Sequence, residues 1–219
     1  MSDLIDFWQE NLPTMVDGLL VSLEVTGVAL FIGIPLGLIL ALGVQAKSMF
    51  ARAISIFVVE IGRGAPALIL LQFAYYGLPS TGISLTSFAA AAAALSWTTA
   101  AYTSEIIRAG LQAVPHGQKE AAVAVGFTSL DALRYVIVPQ GLRVAAPALL
   151  GFAILMLQAT SLCFAIALPE LLSQAYMIGT TTFQYLPILL LAGLLYASIC
   201  IPATILVSSL ERRLGRHTA

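Results

Sequence analysis

Between Glu24 and Lys47 the chain reads EVTGVALFIGIPLGLILALGVQAK, and no residue between those two ends carries a charge. A helix rises about 1.5 Å per residue and the hydrocarbon core of a bilayer is about 30 Å thick, so about 20 apolar residues cross it. This stretch is long enough. In lipid it must be helical, because no water is present to pair with free N–H and C=O groups. The same pattern recurs outward from it. No charge falls between Arg63 and Glu105, between Arg143 and Glu170, or between Glu170 and Glu211. The turn-forming run Leu78-Pro79-Ser80-Thr81-Gly82 divides the first of these stretches, and a polar segment at 173–184 divides the last. The expected spans are therefore 19–44, 54–78, 85–107, 145–168 and 186–208, an all-α integral membrane domain of five helices covering 1–219.

Composition agrees. The chain is 59% hydrophobic and 10% charged with a net charge of −1, where a soluble domain carries about a quarter charged residues. Nothing in this balance points to nucleic acid. Cys163 and Cys200 lie in apolar runs and read as small hydrophobic residues. The first 17 residues carry Asp3, Asp6, Glu10 and Asp17 but no Lys or Arg, the wrong charge for a signal peptide, so this segment is expected on the mature protein.

The ten basic residues orient the spans. Lys47, Arg52 and Arg63 lie near the first connection, and Arg108, Lys119, Arg134 and Arg143 bracket the third. Arg212, Arg213 and Arg216 close the chain. All fall on one face of a five-span arrangement. Basic residues gather on the cytoplasmic side, which puts the N-terminus outside and the C-terminus inside.

The longest extramembrane stretch, 111–143, reads LQAVPHGQKEAAVAVGFTSLDALRYVIVPQGLR. Good helix formers from Gly117 to Val125 predict a short helix, with Glu120 near its positive end and Gly126 as its terminator. Thr128 or Ser129 then caps a second helix, which Pro139 is expected to end near Val138. A helical hairpin lying on the membrane surface fits the same pattern.

At these residues a resemblance enters. Glu120-Ala121-Ala122, then Gly126, then Val136-Ile137-Val138-Pro139 resembles the EAA motif of ABC-importer permeases, with Val at two positions where that motif usually has Ile and Leu. The likeness runs nearly end to end and is greatest to the polar amino-acid permeases of the histidine, arginine and glutamine type. Glu60-Ile61-Gly62-Arg63-Gly64-Ala65-Pro66, Tyr76-Gly77-Leu78-Pro79 and Tyr102-Thr103-Ser104-Glu105 are similar to that family's pattern, as are Thr160-Ser161-Leu162, Pro169-Glu170-Leu171 and Leu210-Glu211-Arg212-Arg213. The resemblance implies a type I importer permease in the bacterial inner membrane. Gly117, Gln118, Lys119, Glu120, Ala121, Ala122 and Gly126 would form the coupling helix that docks on an ATPase subunit. The implied partners are ABC ATPase subunits, a second permease copy or a homologous permease, a periplasmic or lipid-anchored solute-binding protein, and membrane lipid. ATP and Mg would sit on the partner, with no cofactor on this chain.

Polar residues within spans usually face a cavity or another helix. Gln72, Tyr75 and Tyr76 form one such set, and Gln158, Thr160 and Ser161 another; the resemblance puts the latter on the translocation path. For Gln158 pore lining and interhelical hydrogen bonding both fit, and the two tyrosines also fit an interfacial aromatic belt. The family's usual Asn and Glu are absent, Gly151 and Phe152 standing there, and its Lys-Asp pair is replaced by Gln158-Ala159. An uncharged path favours a heterodimer in which the other permease contacts substrate. Glu24 reads as an outer-interface residue. Gly33 and Gly37 predict close helix packing, within the chain or with another subunit. Glu105 and Arg108, at helical spacing, predict an ion pair.

No phosphate-binding Gly-x-x-x-x-Gly-Lys-Ser/Thr run occurs. Neither His116 nor His217 has a metal-ligand or catalytic partner in sequence, and no nucleophile or carboxylate pair stands out. An enzyme acting alone and a metal site are therefore not expected. The competing function is a secondary transporter driven by an ion gradient. Such proteins usually carry intramembrane carboxylates and repeated hydropathy; most acids here sit at span ends or in loops. A non-transporting scaffold would leave the patterned loop without a purpose.

Overall fold

The computed structural model describes residues 2–215; Arg216 and His217 lie outside the described residues. The described residues form helices α1 (Ser2–Val44), α2 (Met49–Gly64), α3 (Ala67–Gln72), α4 (Ser87–Gln112), α5 (His116–Ala124), α6 (Ser129–Asp131), α7 (Val138–Ala159), α8 (Leu171–Thr182) and α9 (Tyr185–Gly215). No strand occurs among them.

Three continuous stretches are long and apolar enough to cross a membrane: Asp3–Val44, Ser129–Ile166 and Tyr185–Arg212. The expected second span, 54–78, is not one straight helix. It is a pair, Met49–Gly64 and Ala67–Thr81, bent by 103° at the break. Pro66 accounts for the bend, since a proline offers no N–H and forces the preceding Ala65 out of helical geometry (ψ 133°). Beyond Gln72 the chain widens into a π-helical turn, Phe73–Gly77, and then tightens into a 3₁₀ turn, Leu78–Thr81.

The expected third span is α4. Its 26 residues make it about 39 Å long, enough to cross. It is less apolar than the other spans because it does not need lipid-compatible side chains. It runs through the middle of the bundle against α1, α2 and α7, and fourteen of its residues, mostly Ala, Ser and Thr, are buried. Gly33 and Gly37 of α1 lie directly on it. A Cβ on Gly33 would overlap the Thr99 side chain, and one on Gly37 would overlap the Thr103 hydroxyl. The partner helix of this glycine face is thus within the same chain. Small residues allow backbones to approach closely where hydrophobic driving force is weak, so packing and dispersion hold the pair. The Thr98 and Thr103 hydroxyls donate to the carbonyls of Ala94 (3.1 Å) and Thr99 (2.7 Å), one helical turn back. Outward-facing Phe31 (83% exposed) and Leu206 (70%) meet what would be lipid.

Three other expectations change. The first helix begins at Ser2, well before residue 19, and Trp8 donates to the Pro187 carbonyl of α9 (2.9 Å) to hold that extension. The polar stretch 173–184 is largely helical: α8 buries Leu171, Ala175 and Gly179 against α1 and α9. Finally, Pro139 does not end a helix. The chain is continuous from Ser129 to Ile166. The missing N–H of Pro139 is absorbed where a π-helical turn, Ala132–Ile137, hands over to α7, and the Val138 N–H reaches the Leu133 carbonyl.

Candidate functional site: the coupling segment and the polar path

The candidate coupling segment is built from a short helix, a sharp corner and a longer helical stretch. After Pro115, α5 runs from His116 to Ala124. Gly126 (φ 91°) stands in the left-handed region and turns the chain. The Phe127 N–H reaches the Ala122 carbonyl and the Gly126 N–H the Val123 carbonyl, both 3.0 Å, which closes the helix C-terminus in a Schellman motif. Thr128 caps the next helix: its hydroxyl accepts from the Asp131 N–H (3.2 Å) while the Asp131 carboxylate accepts from the Thr128 N–H (3.3 Å).

Of the sequence-derived coupling residues, Gly117, Gln118, Lys119, Glu120 and Ala121 are exposed, and Ala122 is buried. Ala122 is the inner contact of α5, packed toward the π-helical turn that contains buried Ala132. A larger side chain there would push α5 off that turn. Gln140 Nε2 donates to Gln118 Oε1 (3.2 Å), tying α5 to the start of α7. Glu120 lies 3.1 Å from His116 Nδ1, so the helix carries this contact on its outer surface. Val123 (53%), Val125 (75%) and Leu130 (72%) are exposed around the corner. The exposed residues of the segment thus combine apolar side chains with a carboxylate, an amide and a lysine.

At the base of α4, the Glu105 carboxylate accepts from the Arg108 guanidinium and lies 3.9 Å from Arg63. The expected pair is present and has a third member. The bend after Gly64 is what leaves Arg63 here. Tyr102 also donates to the Arg63 carbonyl (3.4 Å).

The polar path residues divide. Gln72 and Gln158 are exposed on the surface of this chain, and Tyr75 and Ser161 are half-buried. The Ser161 hydroxyl donates to the Gln158 carbonyl (2.8 Å). Thr160 is fully buried and donates to the Leu157 carbonyl (2.6 Å), so it faces the interior of the chain. α3 packs on the 3₁₀ turn Thr160–Ile166, and Tyr76 donates to the Ala165 carbonyl (3.3 Å). The two sets are therefore neighbours. Phe152 stacks on Tyr102 with ring centroids 5.8 Å apart, an aromatic contact on the uncharged path the sequence led one to expect.

One group that the sequence reading noted without giving it a role is central to the packing. Glu170 is fully buried. Its Oε1 accepts from the Ser173 N–H (2.8 Å), and its Oε2 accepts from the Leu172 N–H (2.8 Å) and the Tyr196 hydroxyl (3.3 Å). The Ser173 hydroxyl, with one hydrogen to give, lies 2.6 Å from the Leu168 carbonyl and 2.9 Å from Oε1. Ser22 of α1 accepts from the Leu171 N–H (3.4 Å). This carboxylate caps α8 and joins it to α9, while Ser22 adds α1. The available signal was a lone acid between apolar runs followed two residues on by a helical stretch with Ser173.

Among the described residues no cluster of His, Cys, Asp and Glu could hold a metal ion. Residues 33–216 match the family described as "Binding-protein-dependent transport system inner membrane component". The chain is 34% identical over 205 residues to the arginine transport system permease protein ArtQ of Bacillus subtilis, covering 93% of this chain and 94% of that protein. It is 34% identical over 215 residues to the glutamate/aspartate import permease protein GltK of Escherichia coli, covering 93% and 94%. Among solved structures it is similar to a chain of an amino acid ABC transporter crystallised with histidines. That match has a TM-score of 0.86 at 34% identity and covers 93% of this chain and 95% of that one. A chain of the MetNI methionine ABC transporter shares the fold, with a TM-score of 0.69 at 23% identity and coverage of 91% and 97%. By the extent of that family match and of these identities, the chain belongs to the inner membrane components of binding-protein-dependent transport systems, with the type I ABC importer permease fold.

Proposed function

We propose that this chain is the permease subunit of an ATP-driven importer of polar amino acids, and that α5 with its Gly126 corner is the element through which an ATPase subunit moves it. One observation carries the reading: the coupling segment is continuous with a transmembrane helix. Ser129–Ile166 is one helical stretch, and α5 is held to it by the capped corner and the Gln118–Gln140 hydrogen bond. A stiff strut converts a displacement of α5 into a movement of α7 and of the polar residues at its far end. The relatives named for arginine and for glutamate and aspartate support an amino-acid substrate.

The chain performs no catalysis itself and holds no cofactor; ATP and Mg belong to the ATPase subunits. The importer also contains a second permease and a periplasmic or lipid-anchored solute-binding protein. Because the exposed path residues Gln72 and Gln158 are uncharged and Phe152 replaces a polar residue, a heterodimer with a more polar homologous permease fits better than a homodimer. The N-terminus is outside and the C-terminus cytoplasmic in the inner membrane.

The test is reconstitution. The chain co-expressed with its ATPase and binding protein should take up amino acid into proteoliposomes only with ATP, and Glu120→Lys should hydrolyse ATP without uptake. A cysteine at Gln118 labelled by an impermeant thiol reagent from outside intact cells would overturn the assignment.

A further inference from the structure

A cavity of about 570 Å³ opens between the end of α1 and the inner side of the coupling segment. Its floor is apolar, made by Leu42, Leu111 and Ile137, all three of which belong to one of the hydrophobic clusters of the bundle. Its rim carries Lys47, His116 and Lys119. Among the described residues no carboxylate lines it. Of the acids nearby, Glu120 lies against the rim's own His116, which leaves Lys47 and Lys119 as the cations of the rim, and Glu105 is paired with Arg108 and Arg63. A basic rim over an apolar floor is complementary to an amphipathic anion. A free anion would use the rim and leave the floor wet; an acyl chain alone would use the floor and gain nothing from two lysines.

We infer that this cavity binds the headgroup and upper acyl chain of an anionic phospholipid, the phosphate lying between Lys47 and Lys119. Both lysines are exposed and free to move their ammonium groups to it. At a membrane surface each lysine contributes about fivefold to anionic-lipid affinity. The occupant would bridge the first connection and α5, so the lipid bears on the element assigned to coupling. Its cytoplasmic location rests on the proposed topology, but its binding does not rest on transport.

The experiment uses the assembled importer purified in detergent, stripped of lipid and titrated with phosphatidylglycerol or phosphatidylcholine, with bound lipid counted by native mass spectrometry. Phosphatidylglycerol should occupy a saturable site at concentrations where phosphatidylcholine does not. Lys47→Gln should weaken that site about fivefold and Lys47→Gln with Lys119→Gln about 25-fold, while Arg212→Gln, outside the cavity, should leave it unchanged. Equal retention of the two lipids would overturn the inference, as would full affinity in the double variant. Displacement by inorganic phosphate at matched concentration would overturn it too, by assigning the rim to a free anion. Because Lys119 also belongs to the segment assigned to coupling, ATP-driven uptake is measured separately and the lipid site is judged on bound lipid alone.

Discussion

Replacing Glu170 should unfasten α8 while leaving the rest of the bundle assembled. In Glu170→Ala the N–H groups of Leu172 and Ser173 both lose their acceptor at 2.8 Å. An unmade donor in a buried setting costs about 1–3 kcal/mol, so the loss is about 2–6 kcal/mol. Glu170→Gln is more informative because its amide keeps one oxygen. With that oxygen serving Ser173, the amide NH₂ faces the Tyr196 hydroxyl, which can turn to accept, and the Leu172 N–H, which cannot. One donor is orphaned, and the expected loss is about 1–3 kcal/mol. Tyr196→Phe removes one 3.3 Å hydrogen bond and should cost about 0.5–1.5 kcal/mol. Thermal unfolding of the purified complex in a single detergent gives the order. Labelling of a cysteine at the buried Ala175 reports whether α8 has come away from α1 and α9. If Glu170→Ala unfolds at the wild-type temperature with Ala175→Cys still protected, the carboxylate does not hold α8 and the reasoning fails.

Gly37→Val places a branched side chain into the Thr103 hydroxyl; overpacking of this kind costs about 1–3 kcal/mol and should lower expression of folded protein, read by fluorescence-detected size exclusion. Gly126→Val forces a β-branched residue to a φ of 91°, a penalty of about 1–2 kcal/mol, and should leave membrane insertion intact while uptake per ATP hydrolysed falls. Gln140→Leu removes the tie to Gln118; uptake should decline less than with Gly126→Val, because the capped corner remains. Phe152→Ala opens the stack with Tyr102 and should alter the KM for uptake if this face borders the path, with little change in ATPase coupling.

The membrane class was written in the charge-free runs, since hydrocarbon tolerates little else. The coupling segment was legible because its signals are local: Gly126 and the Thr128 to Asp131 cap act over four residues. Periodicity and caps placed α5 within one residue of where it lies. Pro66 and Pro139 show the limit. Both remove a backbone donor, yet one bends the chain by 103° and the other lies in an unbroken helix. The difference is in what surrounds each. A π-helical turn before Pro139 shifts the hydrogen-bond register so that the missing donor is not needed. Nothing equivalent precedes Pro66.

The path residues were harder for a similar reason. Residue type alone made Thr160 and Gln158 equivalent candidates, but the direction each side chain takes depends on helix rotation. The change to a 3₁₀ turn at Thr160 buries that residue and leaves Gln158 exposed. α4 reads weakly as a span because it is wrapped by α1, α2 and α7, so small residues replace the large apolar ones that face lipid. From the sequence came the membrane solvent, the helical class and the helix–corner–helix around Gly126, because solvation and backbone caps act over a few residues. Tertiary structure alone decided that Gly33 and Gly37 close on their own chain and that Glu170 is locked under Tyr196. Those outcomes depend on contacts between residues far apart in sequence.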